Sequence, residues 1–217
     1  SWMEERARNN FNLAERLFDS VLIRLSSETH VWFLNQHHLI TDGWSCAEIY
    51  QRMQEYYRLA QEGRLSDAPP LFEYREYQRY ERDFRQSKNY QAAVDYWQQK
   101  STVPTPPLKV FGKTQSLQST RSDRYCHDLG AEVSEDLRAL ALEKDFRSFH
   151  INLSLFNIFA ALVFAYMSRM SSADRFVLGA PAHNRPTSAF KKTLGLFIEL
   201  FPLAMDVSPE ETFRSLI

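Results

Sequence analysis

Val21-Leu22-Ile23-Arg24-Leu25 and Val31-Trp32-Phe33-Leu34 are short β-prone apolar runs separated by the polar stretch Ser26–His30. This pattern predicts an antiparallel hairpin. The second run leads straight into His37-His38-Leu39-Ile40-Thr41-Asp42-Gly43. Beyond Gly43 the period changes. Cys46, Ile49, Met53, Tyr56 and Ala60 recur at three- and four-residue steps, which predicts an amphipathic helix with Gly63 as its C-cap. After the break at Ala68-Pro69-Pro70, the Tyr-rich stretch Phe72–Phe84 and the segment Tyr90–Lys100 read as two further helices. Residues 101–122, with Pro104, Pro106, Pro107 and much Ser, Thr and Gln, read as a linker. The remainder is expected to hold a strand at Asp123–Leu129, then a helix capped by Ser134 with Glu135 and Asp136 in its first turn. A second helix, Leu153–Met170, is capped by Asn152 and is apolar nearly all round, hence expected to be buried. Strands follow at Arg175–Ala180 and Leu194–Val207, the latter bent at Pro202. Strands alternating with helices in two halves (1–100 and 123–217) predict an α/β sandwich with mixed sheets.

Composition narrows the function. The chain has 217 residues, with 26 Lys plus Arg against 27 Asp plus Glu, a net charge of -1. That balance offers no electrostatic footprint for nucleic acid or an anionic membrane. With 44% hydrophobic and 24% charged residues, the profile is globular rather than disordered. The two cysteines, Cys46 and Cys126, are too far apart in sequence for a CxxC metal site or a disulfide scaffold, and suit a reducing compartment. Ser1–Arg8 is charged and unlike a signal peptide, and the longest pure apolar run, Ile158–Met167, is too short to span a bilayer. With no initiator Met, and an end at Arg214-Ser215-Leu216-Ile217 that reads as a helix start, the chain is expected to be an internal fragment.

Only one stretch carries chemical force, His37–Gly43. Two adjacent histidines at a strand end point to opposite faces, so they do not chelate one metal together. One is free to face a cleft and the other the interior. Asp42 shapes the same turn, and Gly43 admits close backbone approach or an unusual φ. A neutral imidazole can take a proton from an attacking amine or hydroxyl. The plainer alternative is a His-rich turn with Asp42 capping the helix from Trp44.

The string HHLITDGWS resembles the HHxxxDG signature of the condensation domains of nonribosomal peptide synthetases, members of the chloramphenicol-acetyltransferase-like superfamily. Other segments, in matching order, resemble the same family. They are Asn10-Phe11-Asn12-Leu13 and Leu17-Phe18-Asp19 before the hairpin, Tyr74–Tyr80, Asp95-Tyr96-Trp97, Gly179–Arg185 and Leu194–Glu199. Glu76 and Tyr80 stand where the family has Asp and Trp. The resemblance implies a two-lobe sandwich with mixed sheets, incomplete at both ends in this chain, with the lobe boundary near residues 101–122. It implies cytoplasmic amide-bond formation, in which the amine of a carrier-bound acceptor attacks the thioester of a carrier-bound donor. No cofactor is bound directly; substrates arrive on the phosphopantetheine arms of donor and acceptor peptidyl carrier domains, beside an adenylation domain of the same synthetase.

By the same resemblance His38 is the catalytic position, placing or deprotonating the amine. His37 is a structural partner. Asp42 forms a salt bridge to an arginine, with Arg185 the best partner in this chain and an arginine upstream of it the alternative. Gly43 fits close approach of the acceptor arm, or merely the helix entry. Trp44 and Ser45 line the substrate tunnel or begin the helix, and His183 contacts substrate or satisfies a strand end. Glu199 and Ala204 replace the family's usual Asn and Arg, which leaves the donor-side contacts open. The Tyr-rich stretch is a carrier-docking surface or a helix packing its rings on the core. Competing functions on the same fold are an epimerisation domain, an ester-forming acyltransferase and a non-catalytic carrier-binding domain; a heterocyclisation domain is disfavoured by His38.

Overall fold

A computed structural model describes residues 2–102, 105, 109, 123–171, 173–208 and 210–217. In chain order the elements are α1 (Trp2–Arg8), β1 (Phe18–Arg24), β2 (His30–Gln36), α2 (Gly43–Gln61), α3 (Tyr74–Arg85), α4 (Lys88–Lys100), α5 (Gly130–Leu142), α6 (Ile151–Met170), β3 (Arg175–Ala182), α7 (Ser188–Lys191) and β4 (Glu199–Asp206). Short 3-10 turns stand at His38–Ile40 and Leu65–Asp67. Two compact units form: Ser1–Lys100 with Pro181–Phe201, and Ser101–Ala180 with Pro202–Ile217. A single break along the chain at 101–122 therefore does not describe this division, because Pro181–Phe201 packs with the first unit. The expected linker itself falls almost wholly outside the described residues.

In the first unit β1 and β2 pair antiparallel from Phe18 opposite Gln36 to Arg24 opposite His30. The Ser26 hydroxyl closes the hairpin loop by accepting from the N–H groups of Glu28 and Thr29, at 3.2 and 3.0 Å. The expected helix after Gly43 is α2. It ends at Glu62, and Gly63 follows with φ 70, the left-handed conformation that glycine adopts without a Cβ penalty. α3 buries Tyr77 among Phe190 and Phe197, with Tyr74 packed beside them. Edge-to-face and tilted ring contacts build this aromatic core. The Tyr-rich stretch is thus partly core, although Tyr80 and Phe84 remain exposed.

In the second unit Ala161 and Phe164 of α6 pack with Phe176, Val207 and Leu216, and Ile158 packs with Ala141 of α5 and Phe146. β3 pairs with β4. Several expectations fail here. Asp123–Leu129 forms no strand, and among the described residues no strand lies beside it to supply a ladder. Ser134 does not cap α5. The helix begins earlier, at Gly130 with φ 77, and the Ser134 hydroxyl bonds back to the Gly130 carbonyl at 2.7 Å from inside the helix. His150, not Asn152, caps α6: its Nδ1 accepts from the Leu153 N–H at 3.1 Å. The strand expected over Leu194–Val207 starts only at Glu199, because the backbone before it bonds to side chains of α2 and α3 instead of a neighbouring strand. Arg214–Ile217 forms a turn and not a helix start.

α6 also departs from expectation. Among the described residues it is the one helix long and apolar enough to cross a membrane, with a mean hydropathy of 1.7. The sequence predicts burial on all sides, yet Phe156, Phe159, Leu162, Val163 and Tyr166 are exposed. Its buried face, Ser154, Ile158, Ala161 and Phe164, is the one turned to the core of its unit.

Candidate functional site

The site lies wholly within the first unit, where β2 runs out. His37 is past the strand end, with φ -76 and ψ 139, and caps the 3-10 turn that follows. Its N–H donates to the Leu17 carbonyl at 2.9 Å, and its Nδ1 accepts from the Leu39 N–H at 3.1 Å. Nδ1 is therefore the unprotonated nitrogen of the neutral ring. The half-buried ring meets Phe11 edge-on, with centroids 6.0 Å apart. His37 is thus committed to the loop. His38 opens the 3-10 turn and is exposed, and neither ring nitrogen has a hydrogen-bond partner among the described residues. The pair differs because the 3-10 turn, and not strand alternation, sets their directions.

Asp42 ends the loop and caps α2. Its Oδ1 accepts from the Ser45 N–H at 2.8 Å and from Arg185 Nη2 at 2.9 Å. Its Oδ2 accepts from Arg185 Nη1 at 2.8 Å and from the Phe197 N–H at 3.0 Å. The pair is bidentate and fully enclosed, with side chains 0% and 1% exposed for Arg185 and Asp42. Burial pushes the carboxyl pKa up. The hydrogen bonds from Arg185, Ser45 and Phe197, with the guanidinium charge, outweigh it and hold the group down at about 2. The arginine left open by the sequence is thus Arg185.

Arg185 is placed by the turn after β3. Asn184 takes φ 47, a left-handed conformation that asparagine tolerates, and its Nδ2 donates to the Tyr77 hydroxyl at 2.7 Å. Burial, then the charges of Glu81 and Glu199, raise the Tyr77 pKa to about 12, so this phenol stays protonated. Besides Asp42, the guanidinium donates to the His183 carbonyl at 3.1 Å and to Ser45 Oγ at 2.8 Å, and it lies 4.0 Å over the Phe197 ring. Arg185 Nε is buried without a hydrogen-bond partner among the described residues.

The remaining residues separate. Gly43 is the first residue of α2; its φ is not positive, so of the two readings the unusual φ is not found, and the space where a Cβ would stand is open. Trp44 is exposed, donates its indole N–H to the Lys191 carbonyl at 2.8 Å and lies beside the His183 ring at 5.1 Å. Ser45 is fully buried. A tunnel wall needs accessible surface, so in this structure Ser45 supports the loop instead of lining a tunnel. His183 is exposed, with Nδ1 accepting from the Arg185 N–H at 3.1 Å. Glu199 is exposed at the start of β4. Sequence reasoning missed Tyr74, whose hydroxyl donates to the Leu196 carbonyl at 2.9 Å, and Gly195, whose close approach to Tyr74 leaves no room for a Cβ. The one signal for Gly195 is its place in the Leu194–Glu199 block. No group of three or more potential metal ligands is found among the described residues.

This arrangement can hold one exposed imidazole at the end of a loop anchored by a buried ion pair. The sequence matches the condensation-domain family model over residues 1–217. It is 28% identical to a linear gramicidin synthase chain of Brevibacillus parabrevis over 99% of this chain and 4% of that protein. It is 26% identical to malpibaldin synthetase of Mortierella alpina over 93% of this chain and 4% of that protein. Among solved structures it is similar to the first condensation domain of the CDA synthetase, with TM-score 0.77 and 24% identity over 99% of this chain and 47% of that one. Another solved structure, the first condensation domain of the calcium-dependent antibiotic synthetase in complex with a substrate analogue, gives TM-score 0.76 and 25% identity over 99% and 46%. The chain spans about half the length of these solved domains and a few per cent of the synthetases. The fold is the chloramphenicol-acetyltransferase-like α/β fold of these neighbours, and the chain belongs to the condensation-domain family.

Proposed function

We propose that this chain is the motif-bearing part of a nonribosomal peptide synthetase condensation domain that forms an amide bond between two carrier-bound substrates. The acceptor amine attacks the donor thioester carbonyl. A C–N bond forms, the C–S bond breaks, and the proton lost by the amine ends on the released thiol. His38 orients the amine and takes its proton in passing. The observation that supports this most directly is the contrast within one loop: the Asp42 end is locked by a buried bidentate ion pair, while His38 is exposed with both ring nitrogens unengaged among the described residues. Such a loop offers a titratable group without fixing it to a structural partner.

On this reading the substrates ride on phosphopantetheine arms of donor and acceptor carrier domains, in a synthetase that also carries an adenylation domain. No cofactor is held by the chain itself. The reaction is assigned to the cytoplasm, which suits two cysteines kept as thiols. The 217 residues alone do not turn over, since they span about half of the solved domains they resemble.

The test uses the complete parent protein with loaded donor and acceptor carriers, read by intact mass of the acceptor carrier. A donor-plus-acceptor mass that His38→Ala reduces at least about 100-fold is expected. An undiminished yield in that variant removes His38 from the reaction. An acceptor of inverted configuration with no added mass favours epimerisation.

A further inference from the structure

We infer that Ser45 is a positioning residue that sets the His38 loop by tying the start of α2 to the segment Lys191–Phe197; this rests on the amide-forming reading of His38. That segment has little regular structure of its own, and successive backbone groups are met by side chains. The Lys191 carbonyl accepts from Trp44 and the Lys192 carbonyl from Arg52, at 2.8 and 2.9 Å. The Leu196 carbonyl accepts from Tyr74 at 2.9 Å, and the Phe197 N–H donates to Asp42 at 3.0 Å. Its centre is Gly195. There the Ser45 hydroxyl donates to the carbonyl at 2.7 Å and accepts from the N–H at 3.1 Å.

Unlike Trp44, Arg52 and Tyr74, Ser45 also holds the ion pair. Its hydroxyl also accepts from Arg185 Nη2 at 2.8 Å, and its own N–H donates to Asp42 Oδ1 at 2.8 Å. One donor and two acceptor positions are all that a serine hydroxyl has, and all are used. The residue is 0% exposed, so water does not replace a lost partner without rearrangement. Removing the hydroxyl strands the Gly195 N–H, and leaves the second Nη2 proton of Arg185 and the Gly195 carbonyl only their longer bond to each other, at 3.4 Å. The guanidinium is then drawn toward the Gly195 carbonyl to shorten that bond, and Asp42, which is held by it and ends the His38 loop, moves with it. The segment Lys191–Phe197 is thus a strap, and Ser45 joins its centre to the ion pair beside the direct bond from the Phe197 N–H to Asp42.

The test compares wild type, Ser45→Ala, His38→Ala and the double variant in the complete parent protein, by single-turnover rate with saturating loaded carriers. Ser45→Ala is expected to lower the rate roughly 10- to 100-fold, with half-saturation by the acceptor carrier unchanged. In the His38→Ala background the same substitution is expected to cost less than about twofold, because its effect travels through His38. Losses that multiply in the double variant, or a wild-type rate for Ser45→Ala, overturn the inference alone. A wild-type rate for His38→Ala overturns the amide-forming reading and this inference with it. If Ser45→Ala does not fold, Tyr74→Phe loosens the same strap at Leu196 and is expected to give a smaller loss, again absent in the His38→Ala background.

Discussion

Replacing Asp42 by Asn is the sharpest test of how the site is built. The carboxylate receives four hydrogen bonds: from Arg185 Nη1 and Nη2 and from the N–H groups of Ser45 and Phe197. Asparagine is as good an N-cap as aspartate, so with its oxygen at the Oδ1 position it keeps the Ser45 bond and the start of α2. Its amide NH2 then faces the Phe197 N–H and Arg185 Nη1, where donor meets donor. The guanidinium, fully buried, loses its counter-charge. Breaking one partner of a buried pair costs about 3–5 kcal/mol, a large share of the roughly 5–15 kcal/mol that holds a domain folded. At about 2 kcal/mol per molar, the urea midpoint of the complete domain should fall by about 2 M. Adding Arg185→Met removes the stranded charge, so the double variant should lose less than the two single losses summed. A midpoint for Asp42→Asn equal to wild type would refute the claim that this ion pair anchors the loop.

Two further outcomes follow from the same geometry. The Asp42 pKa is depressed in the folded state, from an ordinary 3.8 to about 2. Its contribution, about 2 kcal/mol, is therefore fully present above about pH 5 and is lost as pH falls toward 2; acid unfolding of Asp42→Asn should lack that component, and identical acid profiles for the two proteins would count against it. A Cβ on Gly195 would stand 2.4 and 2.5 Å from two ring carbons of Tyr74. Gly195→Ala should cost about 1–3 kcal/mol by thermal or urea unfolding and recover part of it when combined with Tyr74→Ala; an unaltered midpoint for Gly195→Ala would show that the ring gives way freely.

Local and periodic features are legible in residue order alone. The apolar runs flanking Ser26–His30 mark β1 and β2, and the switch to three- and four-residue spacing after Gly43 marks α2, because hairpin and helix signals are carried by neighbouring residues. His38, Asp42 and Arg185 are legible as candidates through motif resemblance. Tertiary structure decides the rest. Arg185 and Asp42 are separated by 143 positions, so no local signal pairs them; a shared buried site does. Ser45 reads as a helix-start residue, but its three hydroxyl bonds come from Gly195 and Arg185, far along the chain. Leu194–Ile198 has the composition of a strand yet spends its hydrogen bonds on α2 and α3 side chains, and Asp123–Leu129 finds no partner strand among the described residues. Strand formation depends on what lies alongside, and the satisfaction of buried polar groups depends on what closes over them. Both are properties of packing between distant segments, which residue order alone does not encode.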